Sequence, residues 1–183
     1  TAESGGGKIV LTGSAGYAGG ELIFRIQADA SGVRVRYPEG VSTVADASLA
    51  LSGSSAGSLL AGTVTIQRTG FNPRTDLASV LAKSGEPERT PSAQSGFLAA
   101  TQLDVQIQMA PDVTFQSSLA QNVQAEANLR LKGTALNPAL LGRIVITQGQ
   151  IVFFGTKFRI DQGAISFFNP VKIEPVLDID LET

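Results

Sequence analysis

The stretch "LDVQIQM", residues 103–109, sets Leu103, Val105, Ile107 and Met109 on one side of an extended chain and Asp104, Gln106 and Gln108 on the other. That period of two is the signature of a half-buried strand, because successive side chains of a strand point to opposite faces. It recurs along the chain. "LIFRIQA" places Leu22, Phe24 and Ile26 together, "VRVRY" opposes Val33, Val35 and Tyr37 to Arg34 and Arg36, and "ANLRLKG" opposes Leu129 and Leu131 to Asn128, Arg130 and Lys132. "VLDIDLET" does the same with Leu177, Ile179 and Leu181 against Asp178, Asp180 and Glu182. Clusters of Gly, Pro, Ser and Asn punctuate these runs as turns should. The expectation is an all-β chain, an antiparallel meander.

"ITQGQIVFF" from Ile146 and "IDQGAISFF" from Ile160 share six of nine positions. Two-residue turns at Gln148-Gly149, Gly155-Thr156 and Gln162-Gly163 would convert Arg143–Phe168 into four five-residue strands. In that register Ile144 opposes Phe153, Ile146 opposes Ile151, Phe153 opposes Phe158, Ile151 opposes Ile160, Ile160 opposes Ile165 and Phe158 opposes Phe167. One face then carries only Ile144, Ile146, Ile151, Phe153, Phe158, Ile160, Ile165 and Phe167, and a slip of one residue would turn all of them outward. The pattern fails after Phe168, where a longer connection or a bend at Pro170 must intervene.

One segment departs from the period. In "NPRTDLASVLAKSG", Leu77, Val80 and Leu81 fall at helical spacing behind Thr75 as N-cap, which predicts a short helix near 75–83. The polar, Gly-, Pro- and Ser-rich stretch 83–96 reads as a mobile loop within a single β-rich domain spanning 1–183. The chain stops inside an alternating strand, which reads as a piece of a longer protein.

Chemistry is scarce. The sequence has no His and no Cys, which removes the commonest general base, the thiolate metal ligands and disulfides. Lys plus Arg number 14 and Asp plus Glu 16, a balance that argues against nucleic acid as a partner. Asp178, Asp180 and Glu182 share a strand face but read as solvated acids, and "GSAGYAGG", residues 13–20, lacks the Lys-Ser/Thr ending of a phosphate loop. The expectation is a non-enzyme without cofactor or metal. No apolar run is long enough for a membrane-spanning helix. The absence of Trp and the short strands weigh against a transmembrane barrel.

With 43% hydrophobic and only 16% charged residues, the apolar faces must be covered or used. A second sheet would make a sandwich with a filled core. Alternatively, the faces curl toward each other without closing, leaving a channel for an apolar ligand. Strand edges left open invite pairing with the rest of the same chain or with another.

The segments "GFNPRTDLASVLA" and "LRLKGTALNPALLGRIVITQGQIVFFGTKFRIDQGAISFFNPVKIEPVLDIDLET", in that order, resemble the C-terminal domain of TamB-type translocation and assembly proteins, which belong with the AsmA-like envelope proteins. The resemblance is concentrated in Thr63–Thr183, and within it in Asn137–Pro170; before Thr63 only the strand patterning agrees. It implies a folded-over, taco-like open β-structure with a hydrophobic interior, in the Gram-negative periplasm and tethered to the inner membrane by a segment outside this chain. It further implies conduction of phospholipid acyl chains toward the outer membrane, support of outer-membrane protein assembly, and an Omp85-type, TamA-like partner. Carried onto this sequence, the groove is the Ile and Phe face joined by Val105, Ile107, Leu129, Leu131, Leu177 and Ile179. A chaperone for unfolded outer-membrane strands, or an adhesin-like solenoid with a dry core, are the alternatives.

Overall fold

The computed structural model describes residues 2–4, 6–36, 41–71, 96–110, 113–115, 120–153 and 156–182. They build eleven strands: β1 (Ala2–Ser4), β2 (Gly7–Ala18), β3 (Glu21–Val35), β4 (Val41–Ser54), β5 (Ser58–Phe71), β6 (Thr101–Met109), β7 (Thr114–Phe115), β8 (Ala120–Gly133), β9 (Pro138–Phe153), β10 (Thr156–Phe167) and β11 (Pro175–Glu182). All belong to one open sheet that follows chain order from β1 to β11, with β7 off the path against β8. The predicted helix near 75–83 and the loop up to residue 95 lie outside the described residues. A single turn of helix, α1 (Phe97–Ala100), precedes β6.

Turn chemistry explains the hairpins. Gly19 and Gly20 both have positive φ, 61° and 87°, as the tight turn between β2 and β3 demands. Pro138 opens β9, where its missing N–H costs least. The connection from β10 to β11, residues 168–174, is the longer link that the alternation required. Asn169 Oδ1 accepts from the backbone N–H of Val171 at 3.0 Å and of Lys172 at 3.2 Å, and Asn169 Nδ2 donates to Glu174 at 2.8 Å.

Two features depart from the predicted meander. β5 and β6 pair in parallel, Ser58 with Thr101 through Ile66 with Met109. A parallel pair needs a crossover of a dozen or more residues, which the chain between Phe71 and Phe97 supplies. At its start the two strands are tied by a 2.8 Å contact between the Ser58 and Thr101 hydroxyls, both buried. Thr101 also donates to the Phe97 carbonyl at 2.7 Å, so Ser58 is the donor in the pair. The Phe97 ring of α1 then packs edge-on against buried Phe24 of β3, with ring centres 5.6 Å apart.

The second departure concerns the repeat. The four short strands are one hairpin of two long strands, β9 and β10. Gln148-Gly149 and Gln162-Gly163 are not turns; they lie inside the strands. Thr156 pairs with Phe153, so Thr156 already belongs to β10 and not to the predicted Gly155-Thr156 turn; residues 154 and 155 lie outside the described residues. The observed partners are Ile144 with Ile165, Ile146 with Gly163, Ile151 with Phe158 and Gly149 with Ile160. These replace all six predicted pairs. The two copies of the repeat run antiparallel, so the Gly of each lies opposite the first Ile of the other. The reason is steric: a Cβ on Gly163 would press on the Ile146 side chain, and one on Gly149 would collide with Val123 of β8.

Candidate functional site

The alternation carries one apolar face laterally across the sheet. A row runs from Val64 on β5 through Ile107, Leu129, Gly142 and Phe167. The next runs through Ala127, Ile144, Ile165 and Leu177. In β9 and β10 this face survives a change of parity. Ile144 and Ile146 are even-numbered, whereas Gly149 and Ile151 are odd; Ile160 is even, whereas Gly163 and Ile165 are odd. The ladder is interrupted at 147–148 and 161–162, and each strand resumes with its alternation shifted by one. On β8 the register shifts between Gln121 and Gln124, around Asn122 with φ of 50°. On the far side Ile160 pairs with Leu181 but Gln162 with Asp180, so Asp161 is an extra residue and the fault ends at β11. Such bulges bend a sheet and raise its twist.

The bend makes a concavity of about 350 Å³ on the apolar face. Its walls are Thr69, Met109, Val113, Val123, Ala125, Ile144, Ile146, Ile151, Ile160, Ile165 and Ile179. Five inter-strand steps separate β5 from β11, which a flat sheet would place about 24 Å apart. Contributions from both to one cavity therefore require the sheet to curl over itself. The fold is an open, folded-over β-structure, and its interior is this face.

Six of the sequence-predicted groove residues meet here: Ile144, Ile146, Ile151, Ile160, Ile165 and Ile179. The others take different places. Val105 and Leu129 are buried on the same face, with Leu131 and Ile107, half-buried, paired to them across β6 and β8. Phe158 is half-buried beside Ile151, and Phe167 half-buried opposite Gly142. Leu177 lies opposite Ile165 but is 62% exposed. The side chain of Phe153 is outside the described residues. Sequence reasoning left out Thr69, Val113, Val123 and Ala125, and placed Met109 on the apolar face without assigning it to the groove. Thr69 carries no apolar signal, and Val123 is masked by the shifted register at Asn122.

The opposite face is polar. Asp104 of β6 accepts two hydrogen bonds from Arg130 of β8, at 2.6 and 3.0 Å, and stands 3.2 Å from Lys132. The Arg130 hydrogen bonds, then that of Lys132, hold its carboxyl below the ordinary value. Arg159 pairs with Glu182 at 2.7 Å. Behind the fault a second concavity of about 470 Å³ is lined by Arg143, Thr147, Asp161, Gln162, Asp178 and Asp180, among others. Among the described residues no group of three or more His, Cys, Asp or Glu is placed to hold a metal, and no helix is long and apolar enough to cross a membrane. The aliphatic side chains thus meet at the apolar concavity and the charged ones at the polar concavity behind it.

Comparison of the chain with curated proteins and with solved structures finds no significant match. The family described as the TamB C-terminal domain matches residues 1–183, and the chain belongs to that family, the TamB proteins of the translocation and assembly module in the Gram-negative envelope.

Proposed function

We propose that this domain is a passive apolar trough through which phospholipid acyl chains cross the periplasm between the inner and outer membranes. The observation that carries the reading is the cavity between β5 and β11, whose walls are aliphatic apart from Thr69 and the Met109 thioether. Its volume of about 350 Å³ falls in the roughly 300–1,000 Å³ range of small-ligand sites. Burying a sixteen-carbon chain contributes roughly 13 kcal/mol before ordering costs, at about 0.8 kcal/mol per CH₂. The headgroup stays in water at the open seam, so no covalent step and no cofactor is needed. The TamB family is associated in general with the outer-membrane protein TamA. In this reading an Omp85-type protein of that kind receives the distal end of the trough, and outer-membrane protein assembly draws on the same apolar surface.

The test is lipid extraction and mass spectrometry of the purified domain beside Ile144→Arg/Ile165→Arg, a cross-strand pair on the cavity wall. Phospholipid bound to the parent and lost from a variant with native circular dichroism supports the trough. Should the double variant unfold, Ile179→Arg at the half-buried rim repeats the measurement with less demand on the core. Equal lipid in the parent and a folded variant, or none in the parent, would sink the reading and leave a sheet face that is merely packed.

A further inference from the structure

Three arginines stand on the polar face only because the ladder slips beneath them. From Phe24 to Ala30 the even-numbered residues of β3 take the apolar face, Ala30 lying in one row with Ala47 and Val64. β3 then uses three positions, Ala30 to Val33, against two on β4, Ala47 to Ala45. Val33 and Val35 inherit the apolar face, and Arg34 and Arg36 turn to the polar one. A second slip lies on β5, which uses two positions, Ile66 to Arg68, where β4 uses one, Ala45 to Val44. Thr69 thereby enters the cavity wall and Arg68 takes the opposite face. Bulges serve in this way to re-aim side chains. Without the two extra residues all three arginines would fall on the apolar face.

The register then gathers them. Arg34 pairs with Val44 and Val44 with Arg68, two inter-strand steps or about 10 Å across. Arg36 follows Arg34 on the same face, about 7 Å further along. All three are exposed. The acids beside them are occupied by neutral donors. Asp46 accepts from the backbone N–H of Gly32 at 2.7 Å and from the Gln67 amide at 2.7 Å. Gly32, with φ of 62°, lies in the β3 bulge, so Asp46 secures the slip and leaves the arginines uncompensated. Asp29 accepts from Ser48 at 2.8 Å and from Gln27 at 3.4 Å. The ion pairs among the described residues, Arg130 and Lys132 with Asp104 and Arg159 with Glu182, use none of the three. The cavity wall reaches the same end of the sheet, where β3 and β5 finish and β4 begins. There Thr69 pairs with Thr43, their hydroxyls 3.2 Å apart, and Thr43 pairs with Val35 between Arg34 and Arg36.

We infer that this rim is a docking surface for an anionic membrane, with Arg34, Arg36 and Arg68 engaging headgroup phosphates. A guanidinium group matches phosphate with paired hydrogen bonds, and Lys or Arg close to an anionic bilayer is drawn to it. The chain carries a formal net charge of −2 and is repelled as a whole by such a surface, so attraction needs a local excess of this kind. Docked by this rim, the domain presents the Thr69 end of the cavity to the bilayer. The inference rests on the trough reading for what lies behind the rim, not for the contact itself, which is electrostatic.

The test is cosedimentation of the domain with phosphatidylcholine vesicles, with and without phosphatidylglycerol, at low and at physiological salt. The expected result is binding only where phosphatidylglycerol is present, weakened as salt rises. Arg34→Gln/Arg36→Gln/Arg68→Gln should lower the partition coefficient about fivefold for each arginine removed. Arg25→Gln/Lys157→Gln/Lys172→Gln removes the same charge from exposed positions elsewhere and should stay within about twofold of the parent at physiological salt, where distant charges are screened. Should the first triple variant lose the native circular dichroism, Arg68→Gln alone repeats the comparison. No binding by the parent, equal binding to vesicles without phosphatidylglycerol, or equal losses in the two triple variants would each overturn the inference. Lipid extracted with the domain plays no part in the readout, so its failure is separate from failure of the trough.

Discussion

Leu11 of β2 and Ile160 of β10 are both aliphatic residues in alternating strands, on the same face of the same sheet, yet Leu11 is 61% and Ile160 4% exposed. Every residue from 11 to 20 is exposed, while β8 to β10 bury Val123, Ala127, Leu129, Gly149, Ile160 and Gly163. β2 pairs with β3 without a register shift, from Lys8 with Ser31 to Ala18 with Glu21. Ladder irregularities cross β8, β9 and β10 at one level. Alternation therefore specifies which face is apolar, and irregularity specifies whether that face curls enough to cover itself.

The comparison breaks most decisively at glycine. Gly142 sits mid-strand between Leu129 and Phe167 with φ of 120°, and a Cβ there would run into the Asn128 carbonyl oxygen. Backbone atoms cannot yield as a side chain tip can. Gly142→Ala should therefore cost more than about 2 kcal/mol and loosen the curl. Gly16 of β2 has open space at the same point, so Gly16→Ala should stay within about 0.5 kcal/mol of the parent. Urea unfolding monitored by circular dichroism separates the two. Equal losses would mean that the bend does not depend on close approach of β8 and β9.

A smaller effect is expected at the aliphatic pair itself. Ile160→Ala removes a buried side chain from the cavity wall, and about 2 kcal/mol is expected, the low end for such truncations because one side already borders a void. Leu11→Ala should change stability by less than about 0.5 kcal/mol. A cost at Leu11 matching that at Ile160 would show that β2 is covered in solution, and would erase the contrast between the two regions.

The faces were legible in the sequence and the pairings were not, for one physical reason. A two-residue turn and a two-residue ladder fault both shift the alternation by one position. Reading Gln148-Gly149 and Gln162-Gly163 as turns therefore put Ile144, Ile146, Ile151, Ile160 and Ile165 on one face, where they are, while giving each the wrong neighbour. Nothing local distinguishes the two cases, because the glycines serve Val123 and Ile146 on adjoining strands. The parallel pairing of β5 with β6 was equally hidden, since period two does not encode strand direction. Thr69 and Val123 enter the cavity only through the curl, a property of the strands from β5 to β11 together rather than of any one of them.

The finest distinction lies on the polar face, where the two regions hold their acids differently. Asp29 of β3 accepts from the neutral Ser48 hydroxyl at 2.8 Å, whereas Asp104 accepts from Arg130 and Lys132. Because those cations hold the Asp104 carboxyl below its ordinary value of 3.8, its contribution is present above that pH and fades as pH falls through the lowered value in the folded protein. Asp104→Asn should thus lower the thermal midpoint slightly near neutral pH and not at all in strong acid. Salt should shrink the neutral-pH difference, as it does for any exposed ion pair. Asp29→Asn keeps a hydrogen-bonding side chain beside a neutral partner, so its small effect should not respond to salt. Calorimetry of both variants at two salt concentrations and two pH values makes the comparison. A salt-independent loss at Asp104 would show that the pair acts through geometry, by fixing β6 against β8, and not through charge.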